Sequence, residues 1–170
     1  GEPRQPDAAT CAHFEQLNEA LANRTWARRT VNLREQWTHV ASVDEFAPLR
    51  WHGDSQVLDH TYGPRHQLFI IGAGMVSHYL AEMALMLDYE ITVCDPRTDL
   101  LEAFPVEPVR KVADMPDDAV REYAKDASTA IVALTHDPRI DDMGLMEALT
   151  TDAFYIGAMG SSRTSANRRE

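Results

Sequence analysis

The run Leu68-Phe69-Ile70-Ile71, closed by Gly72-Ala73-Gly74, constrains this chain more than any other segment. An unbroken apolar run of this length predicts a strand buried on both faces, as in a parallel sheet covered by helices. Glycines directly after such a strand let the backbone reverse sharply. Val76, Leu80, Met83 and Leu87 then follow helical spacing, and Ile91-Thr92-Val93-Cys94 restarts a β-branched strand that stops at Asp95-Pro96. Together these pieces form a βαβ unit of about thirty residues.

The alternation continues downstream. A strand is expected over 109–112, then a helix over 117–125 whose Asp117 and Asp118 suit the positive end of a helix dipole. A second strongly apolar strand follows over 129–134, then a helix over 143–149 and a strand over 153–156 that ends at Gly157. The fold class is therefore α/β, a Rossmann-like open parallel sheet with helices on both faces, its strand order 3-2-1-4-5 by analogy with the half-Rossmann pattern. This domain spans 67–170 and reads as incomplete at its C-terminus, because 165–170 resembles the opening of a helix.

Upstream lies a small α+β segment. Residues 1–12 read as a flexible, Pro-rich N-terminus, and Phe14, Leu17 and Leu21 recur as on one face of a short helix. A strand is expected over 30–34, and a hairpin pairs 49–51 with 56–58 around the polar turn 52–55. Gly63-Pro64 marks the boundary, and 13–66 reads as the tail of a truncated N-terminal domain plus a linker.

Composition narrows the partners. Sixteen Lys and Arg against 27 Asp and Glu give the 170 residues a net charge of −11, which argues against generic binding to nucleic acid or to an anionic membrane. No apolar run is long enough to cross a bilayer, and Cys11 and Cys94 make neither a disulfide framework nor a zinc site. A cytoplasmic location is expected.

The candidate site gathers where the strands end. Gly72-Ala73-Gly74-Met75-Val76-Ser77 is the dinucleotide fingerprint with Ser77 at its third glycine, a hydroxyl that could add a hydrogen bond. Gly72 makes the turn, and Gly74 lets backbone N–H groups of Met75, Val76 and Ser77 reach a phosphate. Asp95, 21 residues after Gly74, stands where a ribose diol is bound, and Arg97 is free to pair with a phosphate or with a neighbour such as Asp99. Cys94 is expected to be a core thiol rather than a nucleophile. Thr135 and His136 follow the strand over 129–134, with a simple turn at Asp137-Pro138 as the competing reading. Gly160, Ser161, Ser162 and Arg163 offer anion-binding chemistry or a plain helix cap. No catalytic triad, H-E-x-x-H, C-x-x-C or Walker motif is present, so binding is better supported than catalysis.

The blocks 68–77, Val93-Cys94-Asp95-Pro96-Arg97, Thr135-His136-Asp137 and 155–161, in this order, resemble the C-terminal Rossmann domain of the XdhC/CoxI family. The resemblance implies an accessory chaperone of xanthine dehydrogenase and related molybdenum hydroxylases. Such a protein binds the molybdenum cofactor, as molybdopterin or its cytosine dinucleotide, and delivers it to the apo-enzyme. It further implies a homodimer, with a cysteine desulfurase as a second partner. Met75-Val76-Ser77 departs from the His-Val-Gly of many members, and Asp88 replaces the usual glycine before the second strand. The helix continuing His78-Tyr79-Leu80 looks more like the branch serving aldehyde oxidoreductases. The residues themselves leave NAD(P) open as the ligand, in an oxidoreductase or a nicotinamide-sensing regulatory domain.

Overall fold

A computed structural model describes residues 7–160, and the chain divides into two units after Pro64. In the first unit Asp7 caps helix α1 (Ala8–Ala22), its carboxylate accepting from Thr10 N at 2.8 Å. Of the expected apolar face only Leu17 is buried, while Phe14 and Leu21 are exposed. Strands β1 (Trp26–Asn32), β2 (Trp37–Val43), β3 (Arg50–His52) and β4 (Val57–Tyr62) form an antiparallel sheet in the order β2-β1-β4-β3. The strand expected over 30–34 is the second half of β1. It stops at Asn32 because the Asn32 side-chain oxygen accepts from Arg34 N and Glu35 N, at 3.0 and 2.8 Å, and bends the chain into a turn. The expected hairpin is β3 and β4, with β4 running on to Tyr62. Strand β2 was not anticipated from the sequence.

The second unit alternates β5 (Gln67–Ile71), α2 (Met75–Met86), β6 (Glu90–Cys94), α3 (Thr98–Glu102), β7 (Arg110–Val112), α4 (Pro116–Tyr123), β8 (Thr129–Ala133), α5 (Pro138–Ala148) and β9 (Tyr155–Ala158). Its sheet is parallel throughout and ordered β7-β6-β5-β8-β9, which is the 3-2-1-4-5 pattern expected by analogy with the half-Rossmann fold. Every residue of the central strand β5 is buried. Its side chains alternate between two cores: Leu68 and Ile70 pack with Ala81 and Ala84 of α2 and Leu101 of α3, and Phe69 and Ile71 with Ala119 and Val120 of α4 and Ala148 of α5. Each such side chain contributes roughly 1.5–3 kcal/mol, so β5 anchors both layers. The helices on both faces are thus a consequence of one unbroken apolar strand.

Several boundaries differ from the sequence reading. Helix α3 was not anticipated. Helix α5 begins at Pro138, five residues before the expected start, because the Asp137 carboxylate accepts from Arg139 N at 3.0 Å and Pro138 takes the first helical position. Strand β9 lies two residues later than expected, over Tyr155–Ala158. Asp88, between α2 and β6, adopts φ +62°, a left-handed conformation that aspartate tolerates better than most residues. Among the described residues no helix is long and apolar enough to cross a membrane.

Candidate functional site

The ends of β5, β6 and β8 converge at the carboxyl edge of the sheet, the edge at which open α/β sheets bind ligands. Gly72 leaves β5 with φ +107° and donates to Cys94 O at 2.7 Å. A Cβ at Gly72 would lie 2.9 Å from Thr135 N and 3.0 Å from Thr135 Cα. The turn after β5 therefore packs directly on the turn after β8, and glycine is required there by both conformation and space.

Gly74 is different. It caps α2 with φ −92°, and a Cβ there would meet nothing within 4 Å. The first helical hydrogen bond runs from His78 N to Gly74 O at 3.1 Å, so the amides of Met75, Val76 and Ser77 have no acceptor within the helix. Open space thus stands in front of N–H groups at the positive end of a helix. Met75 and Val76 are exposed on this first turn. Ser77 is fully buried, and its hydroxyl has no hydrogen-bond partner among the described residues.

Asp95 sits beside the glycine turn, fully buried. Its Oδ2 accepts from Ala73 N at 2.9 Å and from Arg97 Nη2 at 2.9 Å; its Oδ1 accepts from Arg97 N at 3.0 Å and Arg97 Nε at 2.8 Å. Burial pushes its pKa up, but the Arg97 guanidinium and the Ala73 and Arg97 amides outweigh that and hold the carboxyl below the usual range. Arg97 pairs with Asp95, not with Asp99 as the sequence also allowed.

Thr135 is spent on structure. Its amide donates to the Asp141 carboxylate at 3.0 Å, and its hydroxyl donates to the same oxygen at 2.8 Å while accepting from Asp137 N at 3.0 Å. This knot fastens the end of β8 to α5 through a buried acid that the sequence reading missed. The signal was present, since Asp141 falls in the first turn of a helix opened by Asp137-Pro138. His136 is exposed at φ +65°, projecting from the turn. Gly160 follows Met159, whose amide donates to Ala133 O at 3.0 Å, so the end of β9 also reaches this edge. Ser161, Ser162 and Arg163 lie outside the described residues.

Cys94 is fully buried, its Sγ directed at Asp114 O at 3.4 Å, and burial pushes the thiol up to about 12. It is a core thiol, neutral at physiological pH. Labelling of the native chain with a thiol reagent is expected to modify exposed Cys11 quickly and Cys94 only after denaturation. Two fast thiols would contradict the burial. Among the described residues no three His, Cys, Asp or Glu side chains are grouped so as to hold a metal ion.

Comparison with known proteins bears on the fold and on the family. A protein of Bacillus halodurans, whose crystal structure is described as that of a xanthine dehydrogenase, superposes with a TM-score of 0.73 at 20% sequence identity. The match covers 95% of this chain and 56% of that one, so the chain spans a little over half the length of that protein. At this identity the likeness speaks for the fold. No curated protein matches significantly. The model of the XdhC Rossmann domain matches residues 68–170, well over half of the sequence. The chain belongs to the XdhC family, whose Rossmann domain it carries from residue 68 onward.

Proposed function

We propose that this chain is an accessory factor that holds the molybdenum cofactor and passes it to an apo molybdenum hydroxylase of the xanthine dehydrogenase or aldehyde oxidoreductase type. The observation that carries the reading is the open space over Gly74, in front of the free first-turn amides of α2, in a domain of this family. The cargo is an anionic, phosphate-bearing pterin. In a chain of net charge −11, directed N–H groups rather than the overall field must hold it. Met75 and Val76, exposed on the first turn, offer those groups, with Arg97 at the adjoining turn. Met75 and Val76 are also apolar and exposed, suited to covering a planar ring system. Delivery requires release, so affinity is modest and the recipient enzyme provides the stronger site. A homodimer in the cytoplasm, with a cysteine desulfurase as further partner, completes the proposal.

The test uses the variant Gly74→Asp. Nothing crowds a side chain there, and aspartate is a favourable helix cap, so the melting temperature is expected to stay level or rise slightly. The new carboxylate would occupy the amides and repel a phosphate. Anaerobic incubation with molybdopterin, ultrafiltration and fluorescence of the oxidised pterin should show retention by the native chain and a drop of about tenfold or more in the variant. Equal retention by both would remove the cargo from the glycine turn, and retention of NAD in place of pterin would overturn the chaperone reading.

A further inference from the structure

We propose that the position beside the glycine turn, where a Rossmann domain ordinarily binds a ribose diol, takes a phosphomonoester held by Arg97. The inference rests on the reading above that the carboxyl edge is the ligand site, and it narrows the chemical class of that ligand. A carboxylate has about four acceptor directions. In Asp95 all four are filled, by Ala73 N, Arg97 N, Arg97 Nε and Arg97 Nη2, and none of its surface is exposed. A vicinal diol needs two of those directions. Admitting one would require breaking a two-pronged, charge-assisted pair and leaving part of the guanidinium without its acceptor.

The same pair presents a different ligand surface. Arg97 carries five N–H bonds on its guanidinium and spends two on Asp95, so both N–H groups of Nη1 and one of Nη2 have no acceptor among the described residues. Its side chain remains 44% exposed although its plane is fixed by Asp95. A guanidinium edge held rigid in this way matches two oxygens of a terminal phosphate. Ala73, which bonds Asp95, immediately precedes Gly74, so this edge adjoins the open space at the amide end of α2.

The surrounding charges set the mode of binding. Asp95, Asp99 and Asp137 all act on Arg97. Asp95 is matched by Arg97, and Asp137 by a two-pronged pair with Arg139 at 3.2 and 3.0 Å. Asp99 lies in the first turn of α3. The local field is therefore not strongly positive, and directed bonds from Arg97 must carry recognition. Such a site separates ligands by the group placed on the ribose or pterin tail. It favours the plain pterin with its terminal phosphate over the cytosine dinucleotide with its ribose diol, and NADP with its 2′-phosphate over NAD.

The experiment measures retention of these four ligands by the full chain, the pterins anaerobically, in the native form and in Arg97→Ala and Arg97→Lys. The expected result is a preference of about tenfold or more for the phosphomonoester member in at least one pair, and the pair that shows it identifies the source of the phosphate. Arg97→Ala should bring the ratio to near one or invert it, because Asp95 is then free to accept a diol. Arg97→Lys keeps the charge but loses the fork, so its ratio should fall between the two, and thermal melts establish that each variant is folded. Equal retention within both pairs, or a ratio that Arg97→Ala leaves unchanged, would overturn the inference while leaving the cargo reading standing. Absence of retention for all four would overturn both.

Discussion

Gly72→Ala is expected to lower the stability of the α/β unit by roughly 2–5 kcal/mol, the sum of a left-handed backbone strain and an overpacked contact. The conformation at φ +107° is one that L side chains rarely adopt. The added methyl would also meet the Thr135 backbone at 2.9–3.0 Å, and that backbone cannot yield. Thr135 N is tied to Asp141, its hydroxyl is tied to Asp141 and Asp137, and Leu134 N donates to Ile71 O at 2.8 Å. Urea unfolding followed by far-UV circular dichroism should show the loss as a lower midpoint. Trp26, Trp37 and Trp51 all belong to the first unit, so their fluorescence gives a reference transition in the same sample. A midpoint unchanged from the native chain would mean that the turn after β5 is not locked against β8. The contrast with Gly74→Asp is the informative part, since two glycines of one motif are expected to respond oppositely to a side chain.

That contrast shows how far the sequence reached. The β5-α2-β6 unit was legible because its hydrophobic period changes sharply, from an unbroken apolar run to helical spacing and back to a β-branched run. Both core layers follow from it. Strand β2 was not legible, since Trp37–Val43 is half-exposed on one edge of its sheet and has neither a clean alternation nor an apolar run. Helix α3 has five residues, fewer than two turns, too short for any periodicity to register. At the site, the fingerprint located Gly72, Gly74 and Asp95, but a motif gives positions and not pairings. The sequence showed an arginine two residues after Asp95 without showing that the guanidinium folds back onto the carboxylate. Pro96 between them supplies the bend, and that was the one local cue available. Thr135 was legible as an edge residue, while its role as a structural knot depended on Asp141, placed by a helix start that periodicity set five residues too late.

The pairing around Asp95 also makes stability depend on acid. Asp95→Ala would leave the Ala73 amide and the Arg97 guanidinium without their acceptor, with an expected loss of about 2–4 kcal/mol, the lower part of the range applying because Arg97 is partly exposed. Asp95→Asn retains one oxygen acceptor and should lose less. The folded state holds this carboxyl below its ordinary value of 3.8, so the unfolded chain takes up the proton more readily. The stabilisation is accordingly complete above 3.8, declines as the pH falls below that value and is gone once the pH is under the lowered folded-state value. Chemical denaturation of the native chain and of Asp95→Asn between neutral pH and pH 3 should therefore give a stability difference that is constant above 3.8 and narrows below it. Parallel curves across the whole range would show that the Asp95 charge contributes nothing to the fold. In that case the carboxylate would not be committed to Arg97, and a ribose diol would regain its acceptor.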